Sequence, residues 1–304
     1  MIWRLEAMAN SGFEGTALGT LIMPYCSGLG NLIFVFIVVR QHGLGAEIAT
    51  NCIVNNTTNL TLLIGLPLLL WQQQLAPSEN KKSGKKQRVA KVAAQITQLQ
   101  LILTMTAALF FSGICWALAR DGVIDFSDGL VLIGSFIFWQ CFNVYDVLKT
   151  NLQKSKSISV WILMDTLLLL AAALGIYYSI NEIVGLLTAR STGFFSVKNL
   201  GWLTGWLMVL PNALLALYYG FRRRPDVVYS SQIGDGHICI PLCLGLFALI
   251  HPIKVPAVFN SGLGLVAGGI VAHIISVGVF KCAPRWFGGV LIAAYAAFVI
   301  YGFN

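Results

Sequence analysis

An aspartate and an asparagine lie inside apolar runs of this chain and could hold a cation. Pro211-Asn212 interrupts one run, and Gly234-Asp235-Gly236 interrupts the next. Glycines beside an acidic residue predict a broken helix around a charged group, which lipid tolerates only where protein or a wet cavity surrounds it. An acidic side chain at membrane depth indicates a functional site. Asp235 would supply a fixed negative charge, and Asn212 a side-chain oxygen.

A second copy of this layout lies near the N-terminus. Asn31 takes the place of Asn212, and Asn55 and Asn56 lie where the other copy has Asp235. In each copy a polar position is followed by an apolar half-span, a basic turn, a second polar position and an apolar run that ends in Gly-Leu. The shared layout predicts that the two copies contribute side-chain oxygens to one site, while interrupted helices contribute backbone carbonyls.

The predicted cation ligands are therefore Asn31, Asn55, Asn56, Asn212 and Asp235. Asp235 is the predicted metal ligand, because it alone among them carries a charge. His237 and Asp165 are candidates for a proton relay or a secondary site. Residues 51–61 contain further Asn and Thr residues, Asn59 among them. This stretch has two interpretations, a hydrogen-bonded seam between helices or a lining of cation-binding oxygens.

The chain that must position these residues has 304 residues, of which 57% are apolar and only 11% charged. A soluble domain carries roughly 25% charged residues, so this composition excludes that class. A helix needs about 20 apolar residues to cross a hydrocarbon core, and the apolar runs predict an all-α integral membrane protein with about nine transmembrane helices. The predicted spans are 17–40, 48–71, 98–119, 125–147, 158–180, 196–220, 227–250, 255–280 and 286–303.

The basic residues are unevenly divided between the two predicted faces of the membrane. Connections taken alternately place 15 of the 20 Lys and Arg residues on one face and five on the other. The positive-inside rule makes the richer face, which includes the 76–95 loop, cytoplasmic. We therefore expect a cytoplasmic N-terminus and an external or luminal C-terminus. The net charge of +8 reflects this topology, and nucleic acid is not an expected partner.

The two copies begin in the first and the sixth predicted span. Five crossings separate them, so they enter the membrane from opposite sides. An inverted repeat with polar interruptions is typical of a secondary transporter whose site lies at mid-membrane between the repeats. We assign residues 1–150, with the basic loop 76–95, to the first repeat and residues 151–304 to the second.

The copies resemble the alpha-repeats of the calcium/cation antiporter superfamily, which includes the sodium/calcium exchangers. The 210–212 stretch, Leu-Pro-Asn, lies on the family's Leu-Pro-Glu, and the 234–236 stretch lies on its Gly-Ser-Asn. In the first copy, Gly30-Asn31 lies on Pro-Glu, and Asn55 and Asn56 lie near the family's Asn. The resemblance implies the exchanger fold without its first helix. The family's two ion-binding glutamates are asparagines in this chain.

The sequence thus predicts a secondary active cation antiporter. The expected partners are membrane lipid and small inorganic cations, with Na⁺, Ca²⁺ or H⁺ as the transported ion and no cofactor. The alternative is a non-transporting membrane subunit or scaffold that keeps the fold but has lost the ion-binding glutamates. A membrane-embedded enzyme is a third hypothesis, which the absence of a P-loop, a nucleophile elbow or an HExxH motif from the sequence disfavours.

Overall fold

The computed structural model describes residues 23–40, 44–71, 73–74, 85–151, 161–280 and 282–303. We number the α-helices in chain order. They are α1 (Met23–Ser27), α2 (Leu29–Val38), α3 (Gly45–Thr57), α4 (Ile64–Leu70), α5 (Lys85–Leu118), α6 (Phe126–Asn151), α7 (Trp161–Thr188), α8 (Leu200–Phe221), α9 (Pro225–His237), α10 (Leu244–Ala248), α11 (Val258–Ile275) and α12 (Arg285–Phe303). The remaining elements are π-helices at Thr58–Leu63, Ile238–Cys243 and Ser276–Phe280, short 3₁₀ turns at Ala119–Asp121 and Val197–Asn199, and four two-residue strands.

Seven helices in the described part of the chain are long and apolar enough to cross a membrane. They are Gly45–Leu70, Gln95–Asp121, Phe126–Tyr145, Leu167–Thr188, Val197–Phe221, Val258–Val279 and Arg285–Phe303. The two other predicted spans correspond to α1–α2 and to the run from α9 to α10, which carries the polar residues around Asp235. The all-α membrane architecture predicted from composition is confirmed, and the count of nine stays a prediction.

The polar helices lie in the middle of the bundle. The most apolar part of Gly45–Leu70 is 78% buried within the protein, whereas that of Leu167–Thr188 is only 11% buried. The asparagine-rich span is therefore surrounded by other helices, and α7 faces outward. This arrangement keeps polar side chains away from lipid, where an unsatisfied polar group costs several kcal/mol.

Two of the π-helices continue α3 and α9. Each begins three residues after the polar position that the copies share, at Thr58 after Asn55 and at Ile238 after Asp235. Pro241 lies inside the second π-helix and has no N–H, so it cannot donate to the carbonyl one turn earlier. In the first, the hydroxyl of Thr58 donates a hydrogen bond to the carbonyl oxygen of Val54 at 2.6 Å. Such side-chain bonds compete with the regular helix ladder.

The predicted helix breaks are corrected by these observations. The backbone stays α-helical through Gly234-Asp235-Gly236, and the irregular turn comes later as a π-helix. α8 also runs without interruption through Pro211 and Asn212. In the first copy the chain turns at Gly28, three residues before Asn31, where α1 meets α2. Glycine permits a break but does not impose one, and here the Pro and Thr residues fix its position.

The short strands join connections at each face of the bundle. β1 (Gln73–Gln74) pairs antiparallel with β4 (Cys282–Ala283). β2 (Val123–Ile124) pairs antiparallel with β3 (Ile253–Lys254). The predicted alternation of connections places β1 and β4 on the face of the 76–95 loop, and β2 and β3 on the opposite face. In both pairings the two strands therefore lie on the same predicted face of the membrane, in agreement with the predicted alternation of the connections.

Two pairs of glycines bring helices into backbone contact. On α12, a Cβ added to Gly288 would lie 2.5 Å from the carbonyl oxygen of Gly65 on α4. On α10, a Cβ added to Gly245 would lie 3.2 Å from the carbonyl oxygen of Gly129 on α6. Small residues allow membrane helices to approach this closely. Gly65 and Gly245 occupy equivalent positions in the two copies, so the same type of contact occurs in both.

Candidate cation site

A buried carboxylate lies at the centre of the bundle. Asp235 is in the last turn of α9, and its side chain is fully buried. Its Oδ2 accepts a hydrogen bond from Nδ2 of Asn59 at 2.6 Å and another from Nδ2 of Asn212 at 3.0 Å. Both donors are neutral amides. Because burying an uncompensated carboxylate costs several kcal/mol, this group favours a proton or a bound cation as its partner.

Three of the predicted asparagines, Asn31, Asn55 and Asn212, form a connected chain with this carboxylate through Asn59. Nδ2 of Asn59 also donates to Oδ1 of Asn55 at 2.8 Å, and Nδ2 of Asn55 donates to Oδ1 of Asn31 at 3.3 Å. Nδ2 of Asn212 lies 3.4 Å from Oδ1 of Asn59. None of the five side chains is accessible to solvent. We call Asn31, Asn55, Asn59, Asn212 and Asp235 the Asp235 cluster.

Two oxygen atoms of this cluster, Oδ1 of Asn212 and Oδ1 of Asp235, have no hydrogen-bond partner. Six buried side-chain polar atoms in the described part of the chain have no partner, and five of them are oxygens. They are Oδ1 of Asn56, Oγ1 of Thr57, Oδ1 of Asn212, Oε1 of Gln232, Oδ1 of Asp235 and the single nitrogen, Nδ2 of Asn31. Unsatisfied buried polar atoms are rare in native proteins and call for an explanation. An excess of acceptors is what a cation or a proton would satisfy.

Asn59 and Gln232 lie at this site although they are not among the cation ligands predicted from the sequence. Asn59 contacts Asn55, Asn212 and Asp235 directly, and Gln232 donates through Nε2 to the backbone carbonyl of Asn212 at 3.4 Å. The spacing of Asn59 indicates that it belongs to the site, because residues four apart share one helix face and Asn59 follows Asn55 at that interval. Gln232 precedes Asp235 by three residues, which is the same kind of indication.

Asn56 points away from the cluster. Its Nδ2 donates to the carbonyl oxygen of Gly236 at 3.4 Å. It also lines a cavity of about 10 Å³, roughly the room of one water molecule, together with Ser112 of α5 and several apolar side chains. Asn56 is therefore beside the cluster and bridges α3 to α9, and the structure shows no contact between its side chain and Asp235.

One of the two relay candidates, His237, makes its described contacts with other helices than those of the cluster. Nε2 of His237 lies 3.1 Å from the carbonyl oxygen of Thr104, and its ring packs edge-on against Phe111 and Trp139. These contacts place the imidazole against α5 and α6, and no described hydrogen bond joins it to Asp235. The side chain of Asp165 lies outside the described residues.

This chain is similar to known proteins both in sequence and in fold. Residues 1–145 match the family model described as sodium/calcium exchanger protein. The fold matches that of the sodium-calcium exchanger NCX_Mj soaked with 2.5 mM Na⁺ and 1 mM Sr²⁺, with a TM-score of 0.70 and 15% identity over 98% of this chain and 90% of that one. The resemblance to the calcium/cation antiporter superfamily is confirmed.

A second structure of the same exchanger, soaked with zero Na⁺ and Ca²⁺, gives a TM-score of 0.68 and 16% identity over 99% of this chain and 92% of that chain. Curated protein sequences give no match. At such low identity the structural likeness establishes the fold and leaves the transported ion open. The protein is therefore an integral, multi-pass membrane protein with the exchanger fold.

Proposed function

We propose that this exchanger-like protein is a secondary active antiporter of a monovalent cation or proton, bound at the Asp235 cluster. Asp235 supplies the charge, and the side-chain oxygens of Asn31, Asn55, Asn59 and Asn212 complete the coordination. Asn56 would act from beside the cluster through its unpaired Oδ1. The single observation that carries the proposal is the fully buried carboxylate of Asp235, whose Oδ1, like Oδ1 of its neighbour Asn212, has no hydrogen-bond partner.

The amide groups must turn for a cation to bind. In this structure the nitrogens of Asn59 and Asn212 face Oδ2 of Asp235. An asparagine presents a donor on one side and an acceptor on the other, so rotating the amide replaces an N–H with an oxygen. The orientation described here therefore suits a site without a cation, and the reversed orientation suits an occupied one.

The number of charges favours a monovalent ion. Transferring a bare ion into a medium of low dielectric constant costs tens of kcal/mol unless opposite charge compensates it. One carboxylate balances one positive charge, and the amides at positions 31 and 212 add none. A hard divalent ion prefers several charged oxygens. Ca²⁺ would fit this site only with part of its hydration shell or with a second carboxylate from another part of the chain.

The relation between the halves supports alternating access. Equivalent π-helices follow α3 and α9, and equivalent glycines occur at 65 and 245. Strands β1 and β3 hold equivalent places in the two halves, and so do β2 and β4. A two-fold rotation that exchanges the halves would therefore convert the β1–β4 pair into the β3–β2 pair, and both pairs are present. We propose that residues 1–150 and 151–304 are inverted repeats that rock about the Asp235 cluster.

The alternative is a non-transporting membrane subunit. It is favoured by the fact that two neutral amides already satisfy Oδ2 of Asp235 without any ion. The two proposals differ in whether the protein carries a flux. They share the exchanger fold, so the structure of the helices does not separate them.

Flux measurements in proteoliposomes test the proposal. Purified protein is assayed for exchange of Na⁺, K⁺, H⁺ and Ca²⁺, and Asp235→Asn is compared with the wild type. Asp121→Asn is the matched control, because Asp121 is exposed and its Oδ1 only accepts the N–H of Val123. We expect monovalent or proton exchange that Asp235→Asn abolishes and Asp121→Asn leaves intact. No flux of any of these ions, with correctly folded protein, would favour the subunit.

A further inference from the structure

A line of polar side chains leads from one face of the bundle to the Asp235 cluster. Glu47, Asn51, Asn55 and Asn59 follow one another at intervals of four residues along α3 and the start of its π-helix. Residues at this interval lie on one side of a helix, about 6 Å apart. We call these four side chains the α3 ladder. Its inner end is in the cluster, and its outer end is in the first turn of α3.

The outer half of the ladder contacts α8. Oε2 of Glu47 accepts the backbone N–H of Gly201 at 2.7 Å. One turn further in, Nδ2 of Asn51 donates to Oγ1 of Thr204 at 3.0 Å. The ladder thus runs along the seam between one helix of the first half and one of the second. If the two halves rock about the Asp235 cluster as proposed, this seam lies between elements that move relative to each other.

The seam is closed in this structure. Asn51 is 1% exposed and Thr204 is fully buried, whereas Glu47 is partly accessible. Glycines let the backbones approach, because a Cβ on Gly205 would lie 2.9 Å from Val54 and 3.1 Å from the carbonyl oxygen of Asn51. The polar side chains are therefore sealed between two closely packed helices, with the carboxylate of Glu47 at the rim.

The corresponding stretch of α9 differs. The residues one and two turns before Asp235 are Ser231, whose hydroxyl is bonded to Val228 of its own helix, and Val227. No carboxylate or amide occupies these positions. The four-residue spacing of the α3 ladder is therefore not repeated in α9, where Gln232 lies three residues before Asp235.

We propose that the α3 ladder is the cation's path between the Asp235 cluster and the face opposite the 76–95 loop, with Glu47 as its outer binding residue. This inference rests on the proposed function. Glu47 concentrates cations at the rim through its charge. Asn51 and Thr204 then offer neutral oxygens halfway. The rungs are about 6 Å apart, close to the sum of two cation–oxygen distances of about 2.5 Å, so small side-chain movements pass an ion along.

The contact of Glu47 with Gly201 gives the path a closing device. A cation at the rim competes with the Gly201 N–H for the same carboxylate oxygens. Binding of the ion therefore releases the first residues of α8 from α3, which favours opening of the seam on this side. Closure restores the hydrogen bond once the ion has moved inward.

Sided transport measurements test the role of Glu47. Glu47→Gln removes the charge but keeps an oxygen that accepts the Gly201 N–H, so a purely structural role survives the change. The control is Glu182→Gln, an exposed position on α7. With Na⁺ as the probe, we expect the half-saturating concentration on the Glu47 face to rise several-fold, with an unchanged maximal rate and no change on the other face. Equal effects on both faces, or none, would overturn the proposal.

A second measurement works even if the protein carries no flux. Thr204→Cys introduces a thiol of similar size, and its reaction with small cationic and anionic methanethiosulfonates is measured from each face. The reaction of the parent protein, whose Cys141 is exposed, is subtracted. We expect reaction from the Glu47 face only, faster with the cationic reagent, and loss of that preference in Glu47→Gln. A thiol that reacts from neither face, or equally with both reagents, would overturn the path.

The two readouts separate the proposals. If the wild-type protein carries no flux but the thiol at position 204 reacts selectively with the cationic reagent, the proposed path is supported and the proposed antiport is refuted. If Asp235→Asn abolishes the flux but the thiol at position 204 is unreactive, the proposed antiport is supported and the proposed path is refuted.

Discussion

The hydrogen bond from Asn59 to Asp235 should be among the strongest side-chain interactions in the protein. It is 2.6 Å long and fully buried, and the same amide nitrogen also lies 2.8 Å from Oδ1 of Asn55. A hydrogen bond to a charged group contributes about 1.5–3 kcal/mol and a neutral one about 1 kcal/mol. Asn59→Leu removes both and keeps the branched skeleton of the side chain, so we expect a loss of about 2.5–4 kcal/mol in the free energy of unfolding.

A double-mutant cycle isolates the contact between the two residues. Removing one partner leaves a buried polar group unsatisfied, whereas replacing both with apolar groups is much less costly. Asn59→Leu and Asp235→Leu should therefore show a coupling of about 1.5–3 kcal/mol when combined. The assay is reversible unfolding in mixed detergent micelles.

The control combines Asn59→Leu with Asp121→Leu, at an exposed position that shares no described contact with Asn59. These two changes should be additive within about 0.5 kcal/mol. If the Asn59–Asp235 pair were equally additive, the carboxylate would not depend on this amide. The description of the cluster as one interacting unit would then be wrong.

Three further predictions concern packing, topology and the second membrane aspartate. Gly288→Ala should lower the free energy of unfolding by about 1–3 kcal/mol through overpacking, because the added Cβ would lie 2.5 Å from the backbone of the facing helix. Gly289→Ala is the control: its Cβ would have no atom within 4 Å, so the same unfolding assay should show little effect. A Lys85→Cys probe should be labelled by an impermeant thiol reagent only from the cytoplasmic side, and labelling in intact cells would reverse the assigned orientation. Asp165→Asn should reduce cation exchange less than Asp235→Asn does, and an equal loss in the flux assay would make Asp165 a second essential charge.

The architecture could be predicted from the sequence because it depends on coarse properties. The alternation of apolar runs fixes which connections share a face, and the pairing of β1 with β4 and of β2 with β3 agrees with that parity. Matching the two copies by their polar residues also brought Asn31, Asn55, Asn212 and Asp235 together, and the structure joins them in one network. The spacing of these polar residues along their helices is what predicts that they share one site.

The local form of the helices could not be predicted in the same way. Glycines around Asp235 suggested a break there, yet the backbone stays α-helical until Ile238, where Pro241 and the buried packing produce a π-helix. The importance of Asn59 was missed because the copies were matched residue by residue, and its counterpart position in the second copy holds no amide. Its role arises from contacts across the repeat, which a comparison of two sequences does not show.

The central claim is that one buried carboxylate exchanges a proton for a cation, and proton release on ion binding tests it most directly. Wild-type protein in weakly buffered detergent solution is titrated with Na⁺, K⁺ or Ca²⁺ over a series of pH values, and the released protons are counted. At pH values where the carboxyl is protonated, a monovalent ion should release close to one proton per chain, and Asp235→Asn should release none. Release that persists in Asp235→Asn, or two protons per chain released by Ca²⁺ alone, would contradict the claim.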